Sequence, residues 1–141
     1  MVSKAFGVNA GKLIGVIATE LKTVPTIKEP AWLAYSKTGS HNERVSTEEG
    51  FWFKRCASLL RTAFTNGTPI GVRRLQNKYG GRIQHTVARS HHRKAGGKII
   101  RLALQQLEKA GYMKKEKVGR TITPLGKKLV EKCAKSLAVA A

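Results

Sequence analysis

The chain has 141 residues, 41% of them hydrophobic, with 27 Lys and Arg against eight Glu and no Asp, for a formal net charge of +19. The length suits one domain around one core, and the apolar content excludes a disordered chain. So large a charge repels itself unless a polyanion compensates it, which makes nucleic acid the first expected partner and an anionic membrane surface the second.

The N-terminal stretch MVSKAFGVNAGKLIGVIA is broken by Lys12 and followed by Glu20-Leu21-Lys22, which does not fit a signal peptide. No apolar run is long enough to span a bilayer, so an intracellular location is expected. The first helix starts at Asn9, a good cap, and runs to Lys22 or Thr23 with Leu13, Ile17 and Leu21 on one face. Pro25 stops it. Pro30 opens a short second helix carrying Trp32, Leu33 and Tyr35, and Lys37-Thr38-Gly39 leads into a polar loop through Val45.

Ser46 and Glu49 have capping-box spacing, which predicts a strong helix from there through EEGFWFKRCASLLRTAF to Asn66-Gly67. Trp52, Phe53, Cys56, Ala57, Leu59, Leu60, Ala63 and Phe64 cover more than half its circumference, as befits the centre of a fold. The remaining stripe holds Lys54, Arg55, Ser58, Arg61, Thr62 and Thr65. Its cations are either a solvated face whose stems cover the core edge or a ridge along an RNA groove. Cys56 and Cys133 fall on apolar helical faces and read as buried free thiols, and no CxxC motif points to a zinc ribbon.

A short helix over Gly71–Tyr79 turns Val72, Leu75 and Tyr79 inward and Arg73, Arg74 and Lys78 outward. Gly80-Gly81 breaks it. The basic loop RIQHTVARSHHRKAGGK follows at 82–98. Between Glu49 and Glu108 lie 58 residues with 12 Lys/Arg and no carboxylate. The loop's histidines therefore lack an orienting acid for catalysis, and adjacent His91 and His92 suit one metal ion poorly. No metal, cofactor or enzymatic role is expected. The alternatives are a solvated loop or a phosphate grip. In the latter, Arg82, Arg89, Arg93, Lys94, Lys98 and Arg101 neutralise phosphates. His85, His91 and His92 add donors and flat faces for unpaired bases, and Gly96-Gly97 offers N–H groups at a helix start.

The segment GKIIRLALQQLEKAG forms the next helix, with Ile99 or Ile100, Ala103, Leu104 and Leu107 inward and Gly111 as its stop. YMKKEKVGRTITP reads as a β-hairpin turning at Val118-Gly119. Its Lys114, Lys115, Lys117 and Arg120 either solubilise the hairpin or touch phosphate. Thr123 caps a last helix with Pro124 in first position and Leu125, Leu129, Cys133 and Leu137 at intervals of four. The expected fold is mainly α: a helical bundle around a central helix, with a winged-helix-like unit and one short β-hairpin, in a single RNA-binding domain over 1–141. The connection at 80–95 is longer than the tight turn of a DNA-reading helix-turn-helix.

Five blocks make the chain specific: WLAYSKTG at 32–39, FWFKRCASLLR at 51–61, GVRRLQNKYGG at 71–81, GGKIIRLALQQLEKAGY at 96–112 and GRTITPLG at 119–126. In that order they resemble the ribosomal protein S-nineteen family of the eukaryotic and archaeal small subunit. The resemblance implies a mostly helical fold with a winged-helix-like unit. It implies a place in the head of the small subunit, bound to ribosomal RNA beside neighbouring ribosomal proteins, with a part in subunit maturation and translation. It associates the arginines matching Arg55 and Arg61 with incorporation into the subunit. It places the protein on cytoplasmic ribosomes, with nucleolar transit during assembly if the source is eukaryotic. Three departures stand out: Val87-Ala88-Arg89-Ser90 lacks the usual Pro, Ala95-Gly96 replaces Ser-Gly, and Lys127, Lys128 and Lys132 dominate a last helix that often carries Asp in the family. The competing reading is a winged-helix DNA-binding transcriptional regulator. An enzyme acting on nucleic acid comes third, because Asp is absent and Glu scarce.

Overall fold

The computed structural model describes residues 3–84 and 87–140. Helix α1 (Ala10–Lys22) is capped by Asn9, whose Oδ1 accepts hydrogen bonds from the backbone N–H of Gly11 at 2.9 Å and Lys12 at 3.3 Å. It buries Leu13, Ile17, Ala18 and Leu21. A 3₁₀ turn over Ala31–Ala34 follows Pro30 and buries Leu33.

Helix α2 (Phe51–Asn66) is the central element and packs on α1, α4 and α5. Trp52, Cys56, Ala57, Leu59, Leu60 and Ala63 are buried along it. It begins at Phe51, later than the Ser46/Glu49 spacing suggests. Gly50 takes the left-handed conformation (φ +66°) and the N–H of Phe51 turns back to the carbonyl of Glu48. A helix running through Gly50 is therefore interrupted before it can use Ser46 as its cap. Gly67 (φ +64°) ends α2 as expected.

The winged-helix unit follows. Ile70 pairs as a single antiparallel bridge with Arg120. Then come α3 (Val72–Tyr79), α4 (Gly97–Lys109) and a hairpin. The hairpin strands Met113–Glu116 and Gly119–Ile122 run antiparallel from Met113↔Ile122 to Glu116↔Gly119. The turn is therefore at Lys117-Val118, one residue earlier than expected. Gly119 serves a different purpose: a Cβ there would lie 2.8 Å from the carbonyl oxygen of Ile70. The close approach of three strand segments requires glycine at this place.

Helix α5 (Pro124–Ala140) is capped by Thr123, whose Oγ1 accepts from Gly126 N at 3.3 Å and donates to the Gly111 carbonyl at 2.7 Å. Its buried face is Val130, Cys133 and Ala134, with Leu129 and Leu137 flanking. Leu125, expected on that face, is 54% exposed. Gly126 explains the rotation: it packs so closely that a Cβ would lie 2.5 Å from the Tyr112 carbonyl oxygen, which turns its neighbour outward.

The sequence led to one hairpin, and the structure holds a second. Strands β1 (Gly81–Ile83) and β2 (His91–Arg93) pair antiparallel inside the basic loop, before the wing strands, which become β3 and β4. Strands this charged, joined by seven residues with no tight-turn signature, carry no hairpin pattern. Cys56 and Cys133 are buried free thiols.

Candidate nucleic-acid interface

Helices α2 and α3 present the first group of cations. The Arg55 guanidinium lies over the Tyr79 ring at 4.2 Å and near the Phe51 ring at 5.1 Å. The Tyr79 hydroxyl meets Ser58 Oγ at 2.7 Å, which fixes the ring. Burial lowers the pKa of Arg55, against an opposing effect of Tyr79. Arg55 thus clamps α3 to α2 with its flat face.

One turn further along, Thr62 is buried, not on the open stripe. Its hydroxyl donates to the Ser58 carbonyl at 2.8 Å and accepts from Lys78 Nζ at 2.8 Å. Burial and then the charge of Arg61 lower the pKa of Lys78. Arg61 itself holds Nε buried without a hydrogen-bond partner. Two cations are thus brought together with no acid between them. Lys54 is paired to Glu48, while Arg73 and Arg74 are exposed on α3.

The β1–β2 hairpin carries the second group. Its register, Gly81↔Arg93, Arg82↔His92 and Ile83↔His91, puts Arg82 and His92 on one face and His91 and Arg93 on the other. All four are exposed, as are Arg89 and Lys94. His85 lies outside the described residues. The hairpin is stapled at its base. Ala95 N donates to the Gln76 carbonyl at 3.0 Å, Gln76 Nε2 to the Ala95 carbonyl at 3.2 Å, and Gly96 N to the Thr38 carbonyl at 2.8 Å. The Gly96 N–H expected to be open to phosphate is therefore used within the fold.

Helix α4 adds Lys98 and Arg101, both exposed. Lys98 Nζ sits 4.7 Å from the Trp32 ring centroid. On the wing, Lys114 and Lys115 are exposed. Arg120 is held by an ion pair with Glu108, its side chain only 13% exposed, and so ties the wing to α4. Beyond Gly39, the segment up to Arg44 reads in the sequence only as a polar loop. Its Arg44 lines one open cleft with Arg82; only the polar run HNER marked it.

Among the described residues, ion pairs join Lys54 to Glu48, Arg120 to Glu108 and Lys132 to Glu20, and no Lys or Arg from Arg55 to Lys117 is ion-paired. No group of three or more His, Cys, Asp or Glu that could hold a metal occurs among them, and no described helix is long and apolar enough to cross a membrane.

Fold and charge define a class: a small winged-helix protein whose cationic faces are left uncompensated by its own acids. The particular family follows from comparison. Residues 4–140 match the family described as Ribosomal protein S19e. The chain is 42% identical to the small ribosomal subunit protein eS19 of Aeropyrum pernix, over 94% of this chain and 88% of the relative. It is 40% identical to that of Haloarcula marismortui, over 89% and 85%. Against small ribosomal subunit protein eS19A of Schizosaccharomyces pombe it is 33% identical over 92% and 90%. The chain belongs to the ribosomal protein S19e family.

Proposed function

We propose that the chain is a structural, non-catalytic constituent of the small ribosomal subunit. In this reading it binds ribosomal RNA in the head through its basic helix faces and the β1–β2 hairpin. It lies beside other ribosomal proteins and is needed for subunit maturation and translation. Its place is the cytoplasmic ribosome, with nucleolar transit in a eukaryotic source. Family membership sets the frame. The observation that carries RNA binding is the Arg61–Lys78 pair: Arg61 with a buried, orphaned Nε, and Lys78 whose pKa is lowered by burial and by the charge of Arg61, with no carboxylate paired to either. A fold leaves such a pair uncompensated where an outside anion supplies the charge. RNA would be gripped at its phosphates, by shape more than by base edges.

The winged-helix unit keeps a DNA-binding regulator as the second reading. It is weakened because the residues leading into and opening α4, the helix such proteins thrust into the major groove, are tied within the fold: the Gly96 N–H to the Thr38 carbonyl and Lys98 to the Trp32 ring. Sedimentation of the tagged protein from lysate, at low and then high salt, separates the two. Co-migration with small subunits and polysomes through a moderate salt wash is expected. A slow peak at the monomer or dimer position, with none in subunit fractions, would sink the ribosomal reading.

A further inference from the structure

An open cleft of about 420 Å³ lies between the 41–44 segment and the edge of β1, lined by His41, Asn42, Glu43, Arg44, Arg82 and Gln84. Apart from Arg82, none of these residues stood out in the sequence. Its volume is that of a small-ligand site, and all six side chains are polar.

The cleft is built around His41. Its imidazole is clamped between two glycines. A Cβ at Gly39 would lie 2.7 Å from the ring and one at Gly81 2.9 Å away, so only glycine at both places admits the ring. Nδ1 is nevertheless buried without a hydrogen-bond partner, so internal hydrogen bonding does not account for a polar ring here. Asn42 spends its Nδ2 on Thr38 Oγ1, which fixes the amide and leaves Oδ1 as an acceptor. Among the described residues, Glu43, Arg44, Arg82 and Gln84 make no side-chain hydrogen bond or ion pair within the fold. Two guanidiniums, one carboxylate, two amides and a flat ring therefore converge on one space.

These groups sort by chemistry. Arg44 and Arg82 suit a phosphate. A carboxylate opposes phosphate but matches two adjacent N–H donors, which guanine presents at N1 and N2. Gln84 and Asn42 supply a donor and an acceptor for the rest of a base edge. His41, held between its two glycines, forms one wall of the space. We propose that this cleft is a seat for one unpaired guanosine nucleotide, its phosphate on Arg44 and Arg82 and its base edge on Glu43. This rests on the ribosomal reading for its source: the nucleotide is part of the small-subunit RNA rather than a free guanosine monophosphate.

The test uses small subunits from cells whose sole copy of the protein is wild type, Glu43→Ala or Gln84→Ala. Both substituted residues are exposed, and circular dichroism checks that each variant folds. Kethoxal, which modifies guanine at N1 and N2, probes the RNA. In the subunits that contain the variant protein, one guanine protected in wild type should gain reactivity severalfold in both variants. Incorporation with no guanine altered would overturn the RNA seat. In parallel, guanosine monophosphate is titrated into the isolated protein and followed by NMR at His41 and Gln84. Saturating shifts there, with unchanged subunit probing, would overturn the RNA source and assign the cleft to a soluble nucleotide. No shift and no change in probing would overturn the seat altogether. Wild-type protein absent from subunits would instead mean that the ribosomal reading failed, and the titration alone would then decide the cleft.

Discussion

The indole Nε1 of Trp52, on a residue with no solvent exposure, donates to Oε1 of Gln106 at 2.8 Å. The same amide donates through Nε2 to the Lys28 carbonyl at 2.8 Å. One side chain on α4 thereby satisfies the core of α2 and the loop after α1. The T-shaped contact between Trp32 and Trp52, with centroids 6.4 Å apart, extends the cluster. Replacing Gln106 with Ala leaves a buried N–H unpaired, which costs about 1–3 kcal/mol. The urea midpoint should fall accordingly with an unchanged denaturant slope, and Trp52 fluorescence should report it. A midpoint within error of wild type would show that the relay adds nothing.

The two thiols give a pH dependence. Burial pushes Cys56 up to about 12 from an ordinary 9.0, and burial followed by the charge of Glu20 raises Cys133. In the unfolded chain both ionise near the ordinary value, whereas in the fold they hold their protons longer. Their contribution is therefore complete below pH 9 and is lost as pH climbs toward the folded values. Above pH 9 the slope for Cys56 is about 1.4 kcal/mol per pH unit. Cys56→Ala should flatten the alkaline limb of the stability curve at some cost in packing. Native Cys56 should resist iodoacetamide at pH 8, and rapid alkylation of folded protein would contradict its burial.

Arg55 and Arg89 should separate fold from function. Arg55 lies flat over Tyr79, and a lysine cannot reproduce that stack. Arg55→Lys keeps the charge yet should lower isolated-protein stability by about 0.5–2 kcal/mol, the range of a desolvated cation–π contact. Arg89→Lys, on an exposed part of the loop, should leave stability unchanged. If both variants melt alike with wild type, Arg55 is a surface charge and not a clamp.

Most of the helices could be read from periodicity and caps because those signals are local. Asn9, Gly67, Gly111 and Thr123 act where their chemistry placed them. What escaped depends on contacts distant in sequence. The β1–β2 hairpin is held by Gln76 and Thr38, 19 and 58 residues away from their partners Ala95 and Gly96. Leu125 has the spacing of a core residue but is turned out by the packing of its neighbour Gly126. The basic residues were visible as a set; their division was not. Arg55 and Arg120 are tied into the fold, while Arg73, Arg74, Arg89, Arg93 and Lys94 stay open, and only packing distinguishes the two groups.

That division governs the last expectation, salt dependence. Each phosphate neutralised releases condensed counterions, so binding weakens linearly in log–log form. Six to ten contacts would cost about 10³–10⁵ in affinity between 50 and 200 mM salt. Removing an open cation should reduce the slope by about 0.7–0.9. Removing Arg120 should instead destabilise the wing and leave the slope per folded molecule nearly unchanged. Reversing Arg89, Arg93 and Lys94 to Glu replaces three positive charges with three negative ones at exposed positions. It should abolish subunit incorporation with helix content intact, because none of the three side chains is buried in the core. A flat salt response in wild type would refute phosphate binding as the main interaction. Loss of helical circular dichroism in the triple variant would show that the hairpin supports the fold instead.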